Sequence, residues 1–269
     1  MSKPFMHFNN LTMSFTTRKE TVTAVCDFDL KVDKGQVVSL VGASGCGKTT
    51  VLNAAAGFLL PTTGEVLLEG EKITAIEPRC GMVFQSYALF PWLTVKDNVA
   101  FGLKMKGLSR KQRHLEAQKY IELVGLKAFA NAYPSELSGG MCQRVAICRA
   151  LANKTDVLLC DEPFAALDAM TRQVMQQELL SIVQKSQQTV LFITHSIDEA
   201  LIISDTIVVM SARPGRVKTM IDVKLPRPRD VNVQLTKDYI DLKKSIWDMV
   251  EEEVRSSLKL TKRAGMGQD

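Results

Sequence analysis

The fold of this chain is decided by the stretch Gly42-Ala43-Ser44-Gly45-Cys46-Gly47-Lys48-Thr49-Thr50. An apolar run at residues 37–41 precedes it, and a helix-favouring run at residues 51–56 follows it. This order predicts a buried strand, a glycine loop and the start of a helix. The spacing from Gly42 to Lys48 and Thr49 is that of a phosphate-binding loop.

The residue types of this loop explain the chemistry. Glycines let backbone N–H groups curl around a phosphate, and the helix start adds unpaired donors and a favourable dipole. Lys48 would reach the outer phosphates, and the Thr49 hydroxyl would ligate magnesium. The alternative is an ordinary glycine turn, but chance gives this pattern in about one chain of this length in a hundred. We therefore expect residues 42–50 to bind a nucleotide.

Composition sets the limits of the remaining interpretation. The 269 residues are 46% hydrophobic and 23% charged, which suits one large domain or one domain with an inserted subdomain. A net charge of +5 permits contact with nucleic acid or anionic lipid without requiring either. The six cysteines contain no Cys-x-x-Cys pair, which favours reduced thiols over disulfides or zinc. The N-terminus lacks a signal sequence, and no apolar run approaches the ~20 residues of a spanning helix.

The residues around the loop read as short strands. Residues 5–15, 22–32 and 36–41 are separated by polar or glycine turns, and residues 65–73 alternate like one further strand. Phe15 could stack on an adenine ring, although a place in the hydrophobic core is favoured for a lone aromatic in a strand. Gln85 ends the apolar run 80–84 and could be a solvent-facing terminus or a ligand for metal and phosphate.

From residue 95 to about residue 153 the periodicity becomes helical. Residues 104–124 carry apolar positions among many charges, which predicts exposed amphipathic helices. Trp92 lies in an apolar cluster before this segment. A core role and a role in docking a partner are about equally compatible with the sequence.

A second possible anion site lies at Leu137-Ser138-Gly139-Gly140. Ser138 is a good helix N-cap, and Gly139 and Gly140 expose the backbone amides of the helix that follows. A capped helix without further function is the alternative, because Ser-Gly-Gly is common in loops. Two phosphate-type helix starts in one chain suggest one nucleotide bound from two sides, either by one chain or by two copies of it.

Two acids end the apolar run 157–160. Asp161, at the carboxyl end of a strand, is well placed to hold magnesium, and Glu162, on the opposite face, could activate water. Two adjacent acids can also end a strand by accident, but a chain with a phosphate loop favours the functional interpretation. Asp168 precedes a helix predicted at residues 169–185, and His195 follows another apolar run, where it could donate to the γ-phosphate or to water. The apolar positions predicted for that helix are Met170, Val174, Leu179, Ile182 and Val183.

Taken in order, these motifs resemble the nucleotide-binding subunits of ABC transporters over nearly the whole chain. The resemblance implies an α/β fold: a P-loop NTPase core with a mainly parallel sheet, an N-terminal antiparallel β subdomain and an inserted α-helical subdomain. It places an ABC ATPase domain at residues 1–235, with the helical subdomain at about 88–155, and a C-terminal helix and tail at 236–269. Residues 237–258 have an apolar helix face that predicts packing: Leu242, Ile246, Val250, Val254 and Leu258.

The resemblance also implies a role for each motif. Residues 42–50 bind ATP, with Lys48 on its phosphates, and Phe15 matches an adenine-stacking position where Tyr is commoner. The magnesium ligands are Thr49, Gln85 and Asp161. The catalytic groups are the base Glu162, the γ-phosphate contact His195, and Lys48. A second copy supplies Ser138, Gly139 and Gly140, and Asp168 links the two sites.

A narrower resemblance is to the ATPases of nitrate, sulfonate and taurine importers. It rests on residues 89–102, on Ser211-Ala212-Arg213-Pro214-Gly215-Arg216, and on residues 226–229. It implies a homodimer on the cytoplasmic face of the cell membrane, with permease subunits docking near Gln85 to Trp92. A substrate-binding protein is an indirect partner, and no nucleic acid is expected. Met141 and Ala165 depart from the usual residues beside the motifs, without replacing a functional position.

Two other classes of protein remain as alternatives. A relative acting on ribosomes or DNA would need a second cassette or a long coiled-coil insertion, and the sequence has neither. A small-molecule kinase with a phosphate loop would leave residues 137–140 unexplained. The sequence does not identify the cargo, because the cargo does not touch this subunit.

Overall fold

The computed structural model describes residues 3–16, 20–229 and 231–265. The chain divides into two compact units. The first unit is formed by Met1–Glu77 with Thr189–Asp269, and the second unit is Pro78–Gln188. The predicted helical insertion, residues 88–155, lies within the second unit. Its boundaries, and the division at residue 235, stay predictions.

The first unit begins with a strand-rich segment. Its elements are β1 (Met6–Thr16), β2 (Thr21–Val32), β3 (Val37–Val41), α1 (Lys48–Ala55), β4 (Thr63–Leu68) and β5 (Glu71–Lys72). Four of the strands form an antiparallel sheet in the order β2-β1-β4-β5. The single strand predicted at residues 65–73 is wrong, because Glu69 and Gly70 take positive φ angles of 53° and 82° and turn the chain back on itself.

The second unit is mainly helical. Its elements are β6 (Cys80–Val83), α2 (Val95–Val99), α3 (Phe101–Met105), α4 (Arg110–Leu123), α5 (Gly139–Ala152), β7 (Val157–Asp161) and α6 (Ala169–Ser186). Strands β6 and β7 are parallel neighbours. Helix α5 packs against α2, α3, α4 and β6, and nine of its residues are buried.

Residues 104–124, where helices are predicted, contain the end of α3 at Met105 and then α4, which a capping box of Ser109 and Gln112 starts. In α6, Met170 and Val174 are exposed rather than in the core. The buried face of α6 instead contains Met175, Gln176, Leu179 and Val183.

The chain then returns to the first unit. It adds β8 (Thr189–Ile193), α7 (Ile197–Ile203), β9 (Thr206–Met210), β10 (Val217–Asp222), α8 (Val231–Gln234) and α9 (Lys237–Gly265). Strand β3 lies between β8 and β9 and is parallel to both, and β10 pairs antiparallel with β9. Every residue of β3, β8 and β9 is buried, as expected for parallel strands covered on both faces. The predicted fold class is confirmed.

The long helix α9 packs on the first unit. Ile246 is fully buried in a cluster that includes Ile197, Leu201 and Tyr239, and Leu242 and Val250 pack partly against this cluster. The predicted apolar face is therefore confirmed at these three positions of α9. Val254 is exposed, and the side chain of Leu258 lies outside the described residues. Among the described helices, none is long and apolar enough to cross a membrane.

Replacing Ile246 with Ala tests this packing. We expect the free energy of unfolding to fall by about 2–5 kcal/mol, because the substitution leaves a cavity in a closed core. Urea denaturation followed by circular dichroism measures the loss. The control is Ile240→Ala in the same helix, where the side chain is 54% exposed and we expect a change within about 0.5 kcal/mol. Equal effects of the two substitutions would contradict the packing.

Candidate functional site

The loop between β3 and α1 has a backbone that only glycine adopts easily. Gly42, Gly45 and Gly47 have φ angles of 156°, 73° and 100°. A Cβ on Gly47 would lie 2.7 Å from Cγ2 of Val25, and one on Gly42 would lie 2.9 Å from the Met210 oxygen. The neighbouring strands therefore leave no room for side chains at these two positions. This conformation is compatible with amides turned toward an anion.

Lys48 begins α1 and is folded over the loop. Its side chain is only 8% exposed, and its Nζ donates to the Gly42 oxygen at 2.9 Å and to the Ala43 oxygen at 3.0 Å. The contact from Nζ to Sγ of Cys46 is longer, at 3.7 Å. A phosphate oxygen could replace this weak sulfur contact at little cost. The loop and Lys48 therefore fit a phosphate ligand.

His195 lies at the same edge of the sheet as the loop. Leu40 of β3 pairs with Ile193 of β8. Gly42 lies two residues after Leu40, and His195 lies two residues after Ile193. The residues on both sides of His195 are fixed. The Thr194 hydroxyl donates to Glu199 at 2.6 Å and accepts from the Ser196 amide at 3.0 Å, and Ser196 caps α7.

Phe15 is 40% exposed near the end of β1, so the core position favoured for it is wrong. Its ring therefore has solvent-accessible surface. Stacking on adenine stays a prediction.

In the second unit the structure brings Gln85 and Glu162 together. Val83 of β6 pairs with Cys160 of β7. Gln85 lies two residues after Val83, and Glu162 lies two residues after Cys160. Nε2 of Gln85 donates to Oε2 of Glu162 at 3.3 Å. Because the carboxyl ends of parallel strands meet at one edge, two polar groups from separate strands share this position.

Asp161 and Glu162 differ in environment, but not for the predicted reason. Strand β7 ends at Asp161, which is buried. Glu162 has a φ angle of 47° and is partly exposed, so strand alternation does not apply to it. A positive φ at a non-glycine residue is uncommon. Here it accompanies the contact with Gln85.

Ser138 caps α5, as predicted. Its hydroxyl accepts from the Met141 amide at 3.3 Å, while Ser138 and Gly139 are exposed and Gly140 is partly exposed. Asp168 caps α6 by accepting from the Thr171 amide at 3.0 Å. This backbone hydrogen bond lowers the pKa of the Asp168 carboxyl. Capping is a sufficient structural reason for Asp168, and its link to a second copy stays a prediction.

The residues after Gln85 form a braced loop, which we call the aromatic segment (residues 86–94). Buried Asn98 donates from Nδ2 to the carbonyls of Phe90 and Leu93 and accepts from the Phe90 amide. Arg149 of α5 donates to the carbonyls of Ala88 and Tyr87 at 2.8 and 3.3 Å, and its guanidinium lies over the Phe90 ring. Burial lowers the pKa of Arg149.

The roles of Asn98 and Arg149 are not evident from the sequence, because both side chains donate hydrogen bonds to backbone carbonyls outside their own helices. Trp92 is 70% exposed and packs against Phe90 with ring centroids 5.6 Å apart. The core alternative for Trp92 is therefore excluded.

No three His, Cys, Asp or Glu side chains in the described ranges are grouped so that they could hold a metal ion. Two of the predicted magnesium ligands are of other types, the Thr49 hydroxyl and the Gln85 amide. Both residues are exposed. Oxygen donors of this kind suit magnesium, which retains water and phosphate oxygens among its ligands.

The family model described as ABC transporter matches residues 25–165, which is more than half of the chain. The chain belongs to the ABC transporter family of ATP-binding proteins.

Full-length relatives agree with this assignment. The chain is 47% identical to an uncharacterized ABC transporter ATP-binding protein of Methanocaldococcus jannaschii, covering 93% of this chain and 92% of the relative. It is 42% identical to a taurine import ATP-binding protein of Roseobacter denitrificans, covering 92% and 96%. It is 43% identical to a nitrate import ATP-binding protein of Synechocystis, covering 82% and 83%.

A solved structure agrees as well. The dimeric structure of a post-hydrolysis state of an ATP-binding cassette bound to ADP and Pi aligns with a TM-score of 0.76 and 32% identity, covering 81% of this chain and 99% of that one. This ABC protein is therefore an ATPase subunit of an importer-like transporter.

Substitution of Gly47 tests the loop geometry. Gly47→Ala and Gly107→Ala both place Ala at a positive φ, 100° and 81°, but a Cβ on Gly107 meets nothing within 4 Å. We expect Gly107→Ala to cost about 1 kcal/mol of unfolding free energy. Gly47→Ala should cost about 2–3 kcal/mol, because Val25 is fully buried and cannot move aside. Equal losses in urea denaturation would show that the steric contact is unimportant.

Proposed function

We propose that this ATPase works as a pair of identical copies that close on ATP and reopen after hydrolysis, driving import of a small oxyanion. The observation that carries the proposal is the contact of Gln85 with Glu162, since a partly exposed carboxylate that accepts a hydrogen bond from an amide suits a base that polarises water. The phosphate loop and Lys48 supply the complementary electrostatic part of the reaction.

The proposed roles follow the chemistry of each group. The amides of residues 42–50 and the Lys48 ammonium hold the phosphates and stabilise negative charge on the transferring phosphoryl group. Glu162 accepts a proton from the attacking water, and His195 donates to the γ-phosphate. Thr49, Gln85 and Asp161 would hold Mg²⁺, which when bound neutralises charge on the phosphate oxygens. Phe15 would stack on the adenine.

The second copy would complete each site. Ser138, Gly139 and Gly140 start a 14-residue helix with exposed amides, which is the arrangement that binds an anion. A similar cassette was solved as a dimer bound to ADP and Pi, which supports a paired state for this chain. Asp168 would link the two sites.

The aromatic segment would receive the permease. Its backbone is fixed by Asn98 and Arg149, so docking would lose little conformational entropy from ordering the loop. Trp92 offers a large exposed aromatic surface for contact. Arg149 would pass a displacement of the segment to α5, whose first residues we propose to bind the partner's nucleotide. The protein would thus sit peripherally on the cytoplasmic face of the membrane.

Replacing Glu162 with Gln tests the catalytic assignment. We expect ATP turnover to fall by roughly two to four orders of magnitude while ATP affinity stays within about threefold, because the amide cannot accept the proton. Phosphate release measures turnover, and titration with a fluorescent ATP analogue measures affinity. The control is Glu122→Gln, at an exposed position paired with Lys127, which should retain full turnover. Full turnover of Glu162→Gln would exclude Glu162 as the base.

The cargo is tested through the substrate-binding protein that the proposal expects as an indirect partner. The nitrate import and taurine import relatives are named for small ligands that each carry an oxyanion group, so we expect that protein to bind nitrate, taurine or another sulfonate with micromolar affinity. Calorimetric titration with these three ligands, and with a neutral sugar as control, measures it. Binding of the sugar alone would contradict oxyanion import.

A further inference from the structure

The turn between β9 and β10, which we call the arginine turn (residues 211–216), lies against the phosphate loop within the first unit. Nε of Arg213 donates to the Gly45 oxygen at 3.0 Å. Gly215 packs so closely that a Cβ there would lie 2.0 Å from the Cys46 oxygen. Two successive carbonyls of the loop, those of Gly45 and Cys46, are therefore covered by this turn.

These two carbonyls control the loop because peptide groups are planar. The Gly45 carbonyl shares its plane with the Cys46 N–H, and the Cys46 carbonyl shares its plane with the Gly47 N–H. A contact that fixes each oxygen also fixes the direction of the opposite N–H. Glycines at 45 and 47 would otherwise let these planes rotate, since glycine adopts both signs of φ. The Cys46 N–H donates to the Ala43 oxygen at 3.3 Å within the loop. The arginine turn thus supports this internal bond and orients the Gly47 N–H, which would face a phosphate.

The arginine turn is itself held from two sides. On one side, the Gly215 amide donates to the Ala24 oxygen at 2.9 Å, and the Gly215 oxygen accepts from the Cys26 amide at 3.0 Å, which ties the turn to β2.

On the other side, Glu253 of α9 accepts from the Ala212 amide at 2.7 Å and from Nζ of Lys218 at 2.6 Å. Burial alone would raise the pKa of Glu253, but these two donors outweigh it and lower the pKa. The side chain of Glu253 is only 13% exposed. The contact between α9 and the arginine turn is therefore made by a carboxylate that is largely shielded from solvent.

We propose that Arg213 is a positioning residue for nucleotide binding, and that Glu253 of the C-terminal helix sets the arginine turn on which Arg213 acts. The inference rests on the proposed ATP site and adds a control of that site by α9. Neither residue touches the nucleotide. Each acts by keeping the loop amides oriented before a phosphate arrives.

The first test replaces Arg213 with Met, which has no donor. We expect the dissociation constant for a fluorescent ATP analogue to rise about two- to fivefold, which corresponds to one exposed hydrogen bond. With no nucleotide present, hydrogen exchange of the amides at residues 43–47 should become faster. The effect should appear mainly in KM rather than in kcat. Arg213→Gln places an amide N–H donor where Nε was and should recover part of the affinity.

The control for charge is Arg255→Met, because Arg255 is exposed on α9 and, among the described residues, pairs only with Glu251 one helical turn away. It should leave affinity and exchange unchanged. For the helix, Glu253→Ala should reproduce the effects of Arg213→Met. The adjacent Glu252→Ala removes a partner of Lys218 but no contact with the turn amide, and should have little effect.

The outcomes separate two failures. If the unsubstituted protein does not bind the ATP analogue, the proposed function fails. If it binds, and Arg213→Met leaves both affinity and exchange unchanged, the positioning role is overturned. If Arg213→Met does not fold, Glu253→Ala decides: faster exchange at residues 43–47 with an unchanged melting temperature supports the inference, and unchanged exchange overturns it.

Discussion

The site depends on one constraint: backbone amides can converge on a phosphate only if the loop is held in a conformation it would not keep alone. Glycine at positions 42, 45 and 47 makes the conformation accessible, and the buried strands around it make it the only one that fits. Lys48 closes the loop from inside through the Gly42 and Ala43 carbonyls. The loop is shaped before any ligand binds.

In each unit, candidate functional residues follow the carboxyl ends of neighbouring parallel strands. In the first unit, the paired strands β3 and β8 place the loop and His195 at one sheet edge. In the second, β6 and β7 place Gln85 beside Glu162. In each pair of parallel strands, polar side chains follow the point where the backbone pairing ends. The positions of a few buried apolar strands therefore determine where the candidate functional residues lie. Helices α5 and α6 add capped starts at Ser138 and Asp168.

Much of this could be predicted from the sequence, because the informative signals are local. Glycine spacing, helix caps and apolar strands predicted the loop and the start of α5, and the resemblance of the ordered motifs to a known family implied the fold class. The prediction failed where tertiary contacts decide: Phe15 is exposed, the strand predicted at 65–73 turns at Gly70, and Glu162 leaves the strand geometry. Arg149 and Arg213 bond to carbonyls 61 and 168 residues away in the sequence, and Asn98 bonds to carbonyls of a loop outside its own helix. No local pattern indicates such partners.

The central claim is that ATP joins two copies of this chain through the starts of their α5 helices. Light scattering during size-exclusion chromatography tests it most directly, using the Glu162→Gln protein to slow hydrolysis. The account predicts the mass of two chains with ATP and of one chain without it. Adding Ser138→Arg should abolish the ATP-dependent doubling, because a bulky cation then covers the exposed helix start. A single-chain mass with ATP, or an ATP-dependent dimer that still forms after Ser138→Arg, would contradict the account.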